Sequence, residues 1–283
     1  MHGQLLGLQL RLLQMLKSIL PTLYQELFPD SLLDFEITEK KATCDKCALA
    51  AGRSPDHRSY EEHLKCCTFH PFQPNYSIGQ VLLSTRTPKE IKERIQTKIK
   101  NREYVFPIGI TAPLPHQFDF AKRKKNEFGN REDWLCPYFD RKKKNCGIWS
   151  ARNSTCISFH CLSSYGTQGF DFWGELSDYI SYVEMALLEE ALLQFKFTPI
   201  EISEQIRFLN PEKENRSFQK QEFLSEDFYK SIWKNYFGKE EDFYKECYKK
   251  IKSFSKKDFK RILGKQGLEI EKKVMTAKKA VLL

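Results

Sequence analysis

The sequence predicts an α+β protein, mainly helical, with a cysteine-rich metal-binding core of short strands and a hairpin. An N-terminal helix and a C-terminal helical region flank that core. Three observations carry the prediction. Apolar residues recur at helical spacing over 87–102, over 175–195 and through the last third of the chain. Residues 40–84 and 134–161 show little such periodicity. Those two aperiodic stretches hold eight of the nine cysteines.

At 283 residues, with 41% hydrophobic and 29% charged side chains, the chain can bury a core without covalent staples. It divides into an N-terminal helical segment (1–39), a cysteine-cluster metal-binding domain (40–200), a helical C-terminal region (201–263) and a basic tail (264–283). Order is expected to fall away in that tail, from about Gly264.

Residues 4–35 read as helix, broken at Pro21. The Leu-rich start carries Arg11 and Lys17, has no basic region ahead of its apolar run, and is interrupted too often to span a bilayer. Two prolines in Phe69-His-Pro-Phe-Gln-Pro-Asn-Tyr76 require extended or turned backbone. Thr87-Pro-Lys-Glu90 is a helix start, and Ile91, Ile95 and Ile99 continue it on one edge to about Arg102. Tyr104 to Pro115, rich in β-branched residues, Gly and Pro, reads as a strand with irregular ends. Cys136 to Trp149 reads as a hairpin around the polar turn Asp140–Asn145. Glu175 to Phe195 is the strongest helix, with Leu176, Ile180, Val183, Leu187 and Ala191 on one face. Asp-Phe-Tyr-Lys occurs at 227–230 and again at 242–245, and Gly238 separates these into two similar helices. A third begins near Ser255.

The net charge of +9 resides in the tail: residues 249–283 hold twelve Lys/Arg against three Asp/Glu, and the rest balances at 34 against 34. Contact with nucleic acid through 249–283 is therefore a secondary expectation, and a solvated basic end is the simpler one. A chain without an export signal or transmembrane segment is expected to be cytoplasmic. Thiols there stay reduced, so closely spaced cysteines are expected to be ligands rather than disulfides.

The first cysteine group is Cys44-x-x-Cys47, then Cys66-Cys67 after eighteen residues; the second is Cys136, Cys146, Cys156 and Cys161. Thiolates suit zinc and iron–sulfur clusters, both of which take four ligands. Cys44 and Cys47 have the spacing of a zinc knuckle. Cys66 and Cys67 either serve one site each, or one ligates while the other is packed or redox-active. His63, His70 and His160 lie near cysteines as reserve ligands. Cys247 stands apart in a helical pattern and reads as a packed thiol.

Cys136-Pro-Tyr-Phe-Asp, Cys146-Gly-Ile-Trp, Arg152 and Cys156-Ile-Ser-Phe-His-Cys161 together resemble the second half of the YkgJ-type cysteine-cluster family. Cys44, Cys47, Cys66 and Cys67 are similar to its first half, so the resemblance spans roughly residues 40–165. This chain differs in the long gap between Cys47 and Cys66, in Asn153 where the family has proline, and in Ile157 where it has arginine. The resemblance implies a zinc- or iron-chelating domain in which all eight cysteines are metal ligands. The cofactor is then an iron–sulfur cluster, of 4Fe–4S type, or zinc. One branch of the family resembles the flagellin lysine N-methylase FliB, which implies a redox or protein-modifying activity. No glycine-rich nucleotide motif, nucleophile elbow or zincin motif occurs, and no catalytic residue or substrate is assigned. The competing expectations are a non-enzymatic zinc-stabilised interaction module for a protein partner, and nucleic-acid binding through zinc knuckles and the basic tail.

Overall fold

In the computed structural model, the structure describes residues 14–37, 49, 60–159, 163, 165–210 and 220–282. Cys44, Cys47, His160 and Cys161 lie outside the described residues, as does the first part of the predicted N-terminal helix.

Among the described residues the fold is mainly helical, with three small antiparallel sheets. Over the described residues 14–37, the N-terminal region is not one broken helix. It comprises strand β1 (Gln14–Met15), a short 3-10 turn, helices α1 (Thr22–Leu27) and α2 (Asp30–Leu33), and strand β2 (Glu36–Ile37), which pairs with β1. Pro21 and Pro29 each stand immediately before one of the helices, where a missing N–H costs nothing. Two prolines eight residues apart thus limit both helices to a turn or two.

Strand β3 (Gln73–Pro74) leads into helix α3 (Asn75–Leu83), of which every residue up to Leu82 is buried. Helix α4 (Lys89–Asn101) follows one residue later than the sequence predicts, with Pro88 rather than Thr87 at its boundary. It buries Ile91 and Ile95 and ends on Arg102 in left-handed conformation. The predicted strand over 104–115 is a hairpin, β4 (Val105–Phe106) and β5 (Gly109–Ile110), followed by helix α5 (Leu114–Ala121). Strand β5 lies between β3 and β4 in the sheet. The predicted cysteine hairpin is present as β6 (Phe139–Asp140) and β7 (Asn145–Cys146), with Phe139 opposite Cys146.

Helix α6 (Ser154–Ser158) is a single capped turn and a little more. Helix α7 (Gly166–Gln194) is the longest element and runs well ahead of the predicted start at Glu175. Leu176, Ile180, Val183, Leu187 and Ala191 are all fully buried along it. Helix α8 (Pro199–Ile206) opens with a capping box between Thr198 and Glu201. The repeated tetrapeptides fall in α9 (Glu226–Trp233) and α10 (Glu240–Lys252), with Gly238 between them.

Helix α11 (Lys256–Val281) corrects the expectation of lost order after Gly264. It packs along α7, burying Phe259, Leu263, Gly267, Val274 and Val281. Its apolar positions are spaced widely among lysines, so net charge concealed a buried face. Gly264, at φ 58°, has non-helical dihedrals and kinks the element, separating two helical stretches.

Among the described residues the main core cluster joins the N-terminal pieces, α3, α7, α10 and α11, and a small second cluster of Leu49 and Tyr60 has Cys66 and Phe128 packed against it. Helices α3 and α10 cross so closely that a Cβ on Gly79 would lie 1.9 Å from the Tyr244 carbonyl oxygen. Cys247 is fully buried in α10 within this core, as its helical setting predicts.

Candidate metal centre

Five of the eight predicted ligands come together from three chain segments. Cys66 and Cys67 sit on a 3-10 turn that begins at Lys65, a residue held at φ 58°. The Cys67 carbonyl accepts from the Cys136 N–H at 2.7 Å, which sets the first segment against the cysteine hairpin. The Lys65 ammonium reaches across to the Lys144 carbonyl at 2.8 Å, fastening the same turn to the hairpin tip.

In the hairpin segment, the Phe139 N–H donates to the Cys136 carbonyl at 3.0 Å, closing a tight turn. Within that turn the Tyr138 N–H donates to the Cys136 sulfur. A backbone donor aimed at a sulfur favours its thiolate. Across the hairpin, the Gly147 N–H donates to the Tyr138 carbonyl at 2.9 Å. At the tip, the Asp140 carboxylate accepts from the Lys142 and Lys143 N–H groups at 2.9 and 3.0 Å. Helix α4 braces the turn from outside. The Arg94 guanidinium donates to the Pro137 and Phe139 carbonyls at 3.1 and 2.8 Å.

Cys156 arrives on α6, whose first turn Asn153 caps by accepting from the Cys156 N–H at 3.1 Å. Arg152 lies over the Trp149 ring, its guanidinium carbon 3.5 Å from the centroid. It donates to the carbonyls of Trp149, Cys156 and Ile19 at 3.2, 3.1 and 3.0 Å, and so ties α6 to the N-terminal segment. Beneath α6, the buried Glu184 carboxyl of α7 accepts from the Ser154 N–H at 2.7 Å and the Ser154 hydroxyl at 2.8 Å. The Tyr24 hydroxyl donates to it at 3.3 Å, and burial pushes the Glu184 pKa up to about 8.

The five thiols act on one another. The Cys66 thiol is hydrogen-bonded to Cys67, and this bond, with burial and the nearby Cys136 and Cys146, pushes the Cys67 pKa far up. Burial raises Cys136, with Cys146 and Cys66 adding to the shift. Cys156 is raised by burial and then by Cys136, Cys146 and Cys66. An array of half-buried thiols in mutual electrostatic range keeps its protons unless a cation replaces them. None of the six described cysteines is in a disulfide. The donor chemistry fits a soft metal. Among the described residues, however, no three ligand side chains form a ready-made ion site, and Cys44, Cys47 and Cys161 fall outside that description.

The described histidines stand differently from one another. His63 is exposed, 3.3 Å from Glu132. His70 is buried edge-on to His116 and Tyr138, at ring separations of 5.8 and 6.1 Å. Burial first, and then the Lys98 charge, lowers the pKa of both His70 and His116, so both rings are held neutral. Their Nε2 atoms and the Tyr138 hydroxyl are buried without a hydrogen-bond partner among the described residues. Aromatic rings close the region off: Phe120 packs on Phe69, Phe128 and Trp134, and Phe128 packs on Tyr60 and Phe159.

Sequence reasoning missed Arg94, Lys98, His116 and Glu184. Arg94 and Lys98 are four residues apart on α4, a spacing that places them on one face. Glu184 was visible as a lone acid adjoining the apolar face of α7. No family model matches the chain, and no curated protein or solved structure matches it either.

Proposed function

We propose that the chain binds an iron–sulfur cluster, or zinc, through Cys44, Cys47, Cys66, Cys67, Cys136, Cys146, Cys156 and Cys161, as the YkgJ-type resemblance implies. The observation that supports this reading is the approach of five of these thiols from three chain segments. Half-buried thiols within electrostatic range gain little from one another as neutral groups. They gain much as thiolates around a cation. Iron with sulfide would give the chain a redox or protein-modifying role in the cytoplasm. Zinc would make it a non-enzymatic interaction module, in which each four-thiolate ion adds about 10–16 kcal/mol of apparent binding energy to folding.

The deciding experiment is iron, zinc and acid-labile sulfide content of protein prepared without air. Brown protein with iron and sulfide supports the cluster, and colourless protein with up to about two zinc ions supports the zinc site. Metal-free protein with its cysteines in disulfides would overturn the reading.

A further inference from the structure

Where the end of α7 meets the turn between α9 and α10, the chain forms a cavity of about 390 Å³ that contains none of the cysteines. Small-ligand sites have volumes of about 300–1,000 Å³. Three aromatic rings line this one. Phe195 meets Tyr236 edge-on at 5.9 Å, and Phe197 lies nearly parallel to Tyr236 at 6.1 Å. The buried Phe243 packs on all three, at 5.1, 5.9 and 4.7 Å, so the rings are fixed before any ligand arrives. Gln194 and Asn235 add carboxamide residues to the lining, and Lys196 and Lys234 add cationic ones.

Both lysines are placed at a cost in backbone strain. Lys196 follows α7 at φ 64°, in a position that glycine usually fills. Lys234 follows α9 at φ 51° and ψ −125°, a conformation that only glycine takes freely. Six described residues other than glycine have φ values of this sign, and two of them line this one cavity. Such strain gathers at ligand clamps and switch regions. The Lys234 ammonium is already engaged, paired with Glu201 and 5.1 Å from the Phe197 ring centre. Lys196 is exposed and has no ion pair among the described residues. A fitting ligand therefore has a flat ring for the aromatic wall and an anionic group for Lys196. A lysine ammonium suits phosphate as a point charge. Asparagine and glutamine carboxamides are the side chains that pair with the edge of adenine. Gln194 already donates to Glu190 at 2.9 Å, which leaves its carbonyl oxygen to accept from an amino group.

We propose that this cavity binds a free adenine mononucleotide, with the base against Phe195 and Tyr236, its edge toward Gln194 and Asn235, and the phosphate at Lys196. The site goes beyond the metal-binding reading and stands or falls independently of it.

The test is calorimetric titration of adenosine 5′-monophosphate into the full-length chain prepared without air. Saturable binding of one nucleotide per chain is expected. Adenosine lacks the phosphate and ribose 5-phosphate lacks the base, so each is expected to bind at least roughly tenfold more weakly. Lys196→Gln removes the charge and is expected to weaken the nucleotide by roughly tenfold. Lys196→Gly removes the charge and also relieves the strained φ. It is expected to lose the same affinity while its melting temperature holds or rises, a combination that a merely structural lysine would not give. No binding of the nucleotide at millimolar concentration would overturn the proposal. So would wild-type affinity in both Lys196 variants. Adenosine or ribose 5-phosphate binding as tightly as the whole nucleotide would overturn it too, since ring or charge alone would then account for the affinity.

Discussion

Glu184 shows how one side chain couples the core to the cysteine segments. It holds both the N–H and the hydroxyl of Ser154, two residues before Cys156. Its pKa of about 8 lies above the ordinary 4.5. The folded chain therefore keeps a proton that the unfolded chain has lost between those two values. Stability is greatest below the ordinary value and falls as pH rises through that window, by at most about 1.4 kcal/mol per pH unit. Urea unfolding between pH 5 and 8 is expected to show this slope, and Glu184→Gln to flatten it. Cys247 supplies a contrast. It is fully buried in α10, away from the clustered thiols, so Cys247→Ala is expected to cost about 1–2 kcal/mol and leave metal content unchanged. Cys136→Ala is expected to abolish a metal site, read as lost metal per chain. The cysteines could be found in the sequence because thiol chemistry is carried by residue type and close spacing. The brace from Arg94 could not, because Arg94 reaches the Cys136 turn only through the packing of α4.

Among the elements, legibility followed the environment of each face. Helices α4, α7, α9 and α10 each present one apolar side to the core and one polar side to solvent, and each was readable as a period. Helix α3 is buried nearly all round, so it carries no alternation, and its prolines before Asn75 suggested only an extended segment. Its close crossing with α10 makes a sharp prediction. Gly79→Ala would drive a Cβ into the Tyr244 backbone, which cannot yield as a side-chain tip would. A loss of about 1–3 kcal/mol is expected in thermal or urea unfolding. Helix α6 was too short for periodicity and depends on its cap. Asn153→Ala is expected to cost about 1 kcal/mol and to loosen Cys156, detectable as faster alkylation of that thiol.

For the whole molecule, the C-terminal helix changes how the basic tail should be tested. Because α11 lies along α7 with Phe259, Leu263 and Val274 buried, deletion of 249–283 would remove part of the core along with the charge. A truncation at residue 255 is expected to lower the melting temperature sharply or abolish cooperative unfolding. A nucleic-acid role is better probed by replacing exposed lysines such as Lys272 and Lys273 with glutamine. The contact between Lys65 and Lys144 closes a stretch of 79 residues that contains α3, α4 and α5. Loop closure on that scale comes late, because the intervening helices can form from local contacts first. During synthesis, Cys66 and Cys67 emerge long before the hairpin they join. They must wait as separate thiols, open to oxidation or to the wrong ion, until the later segment arrives.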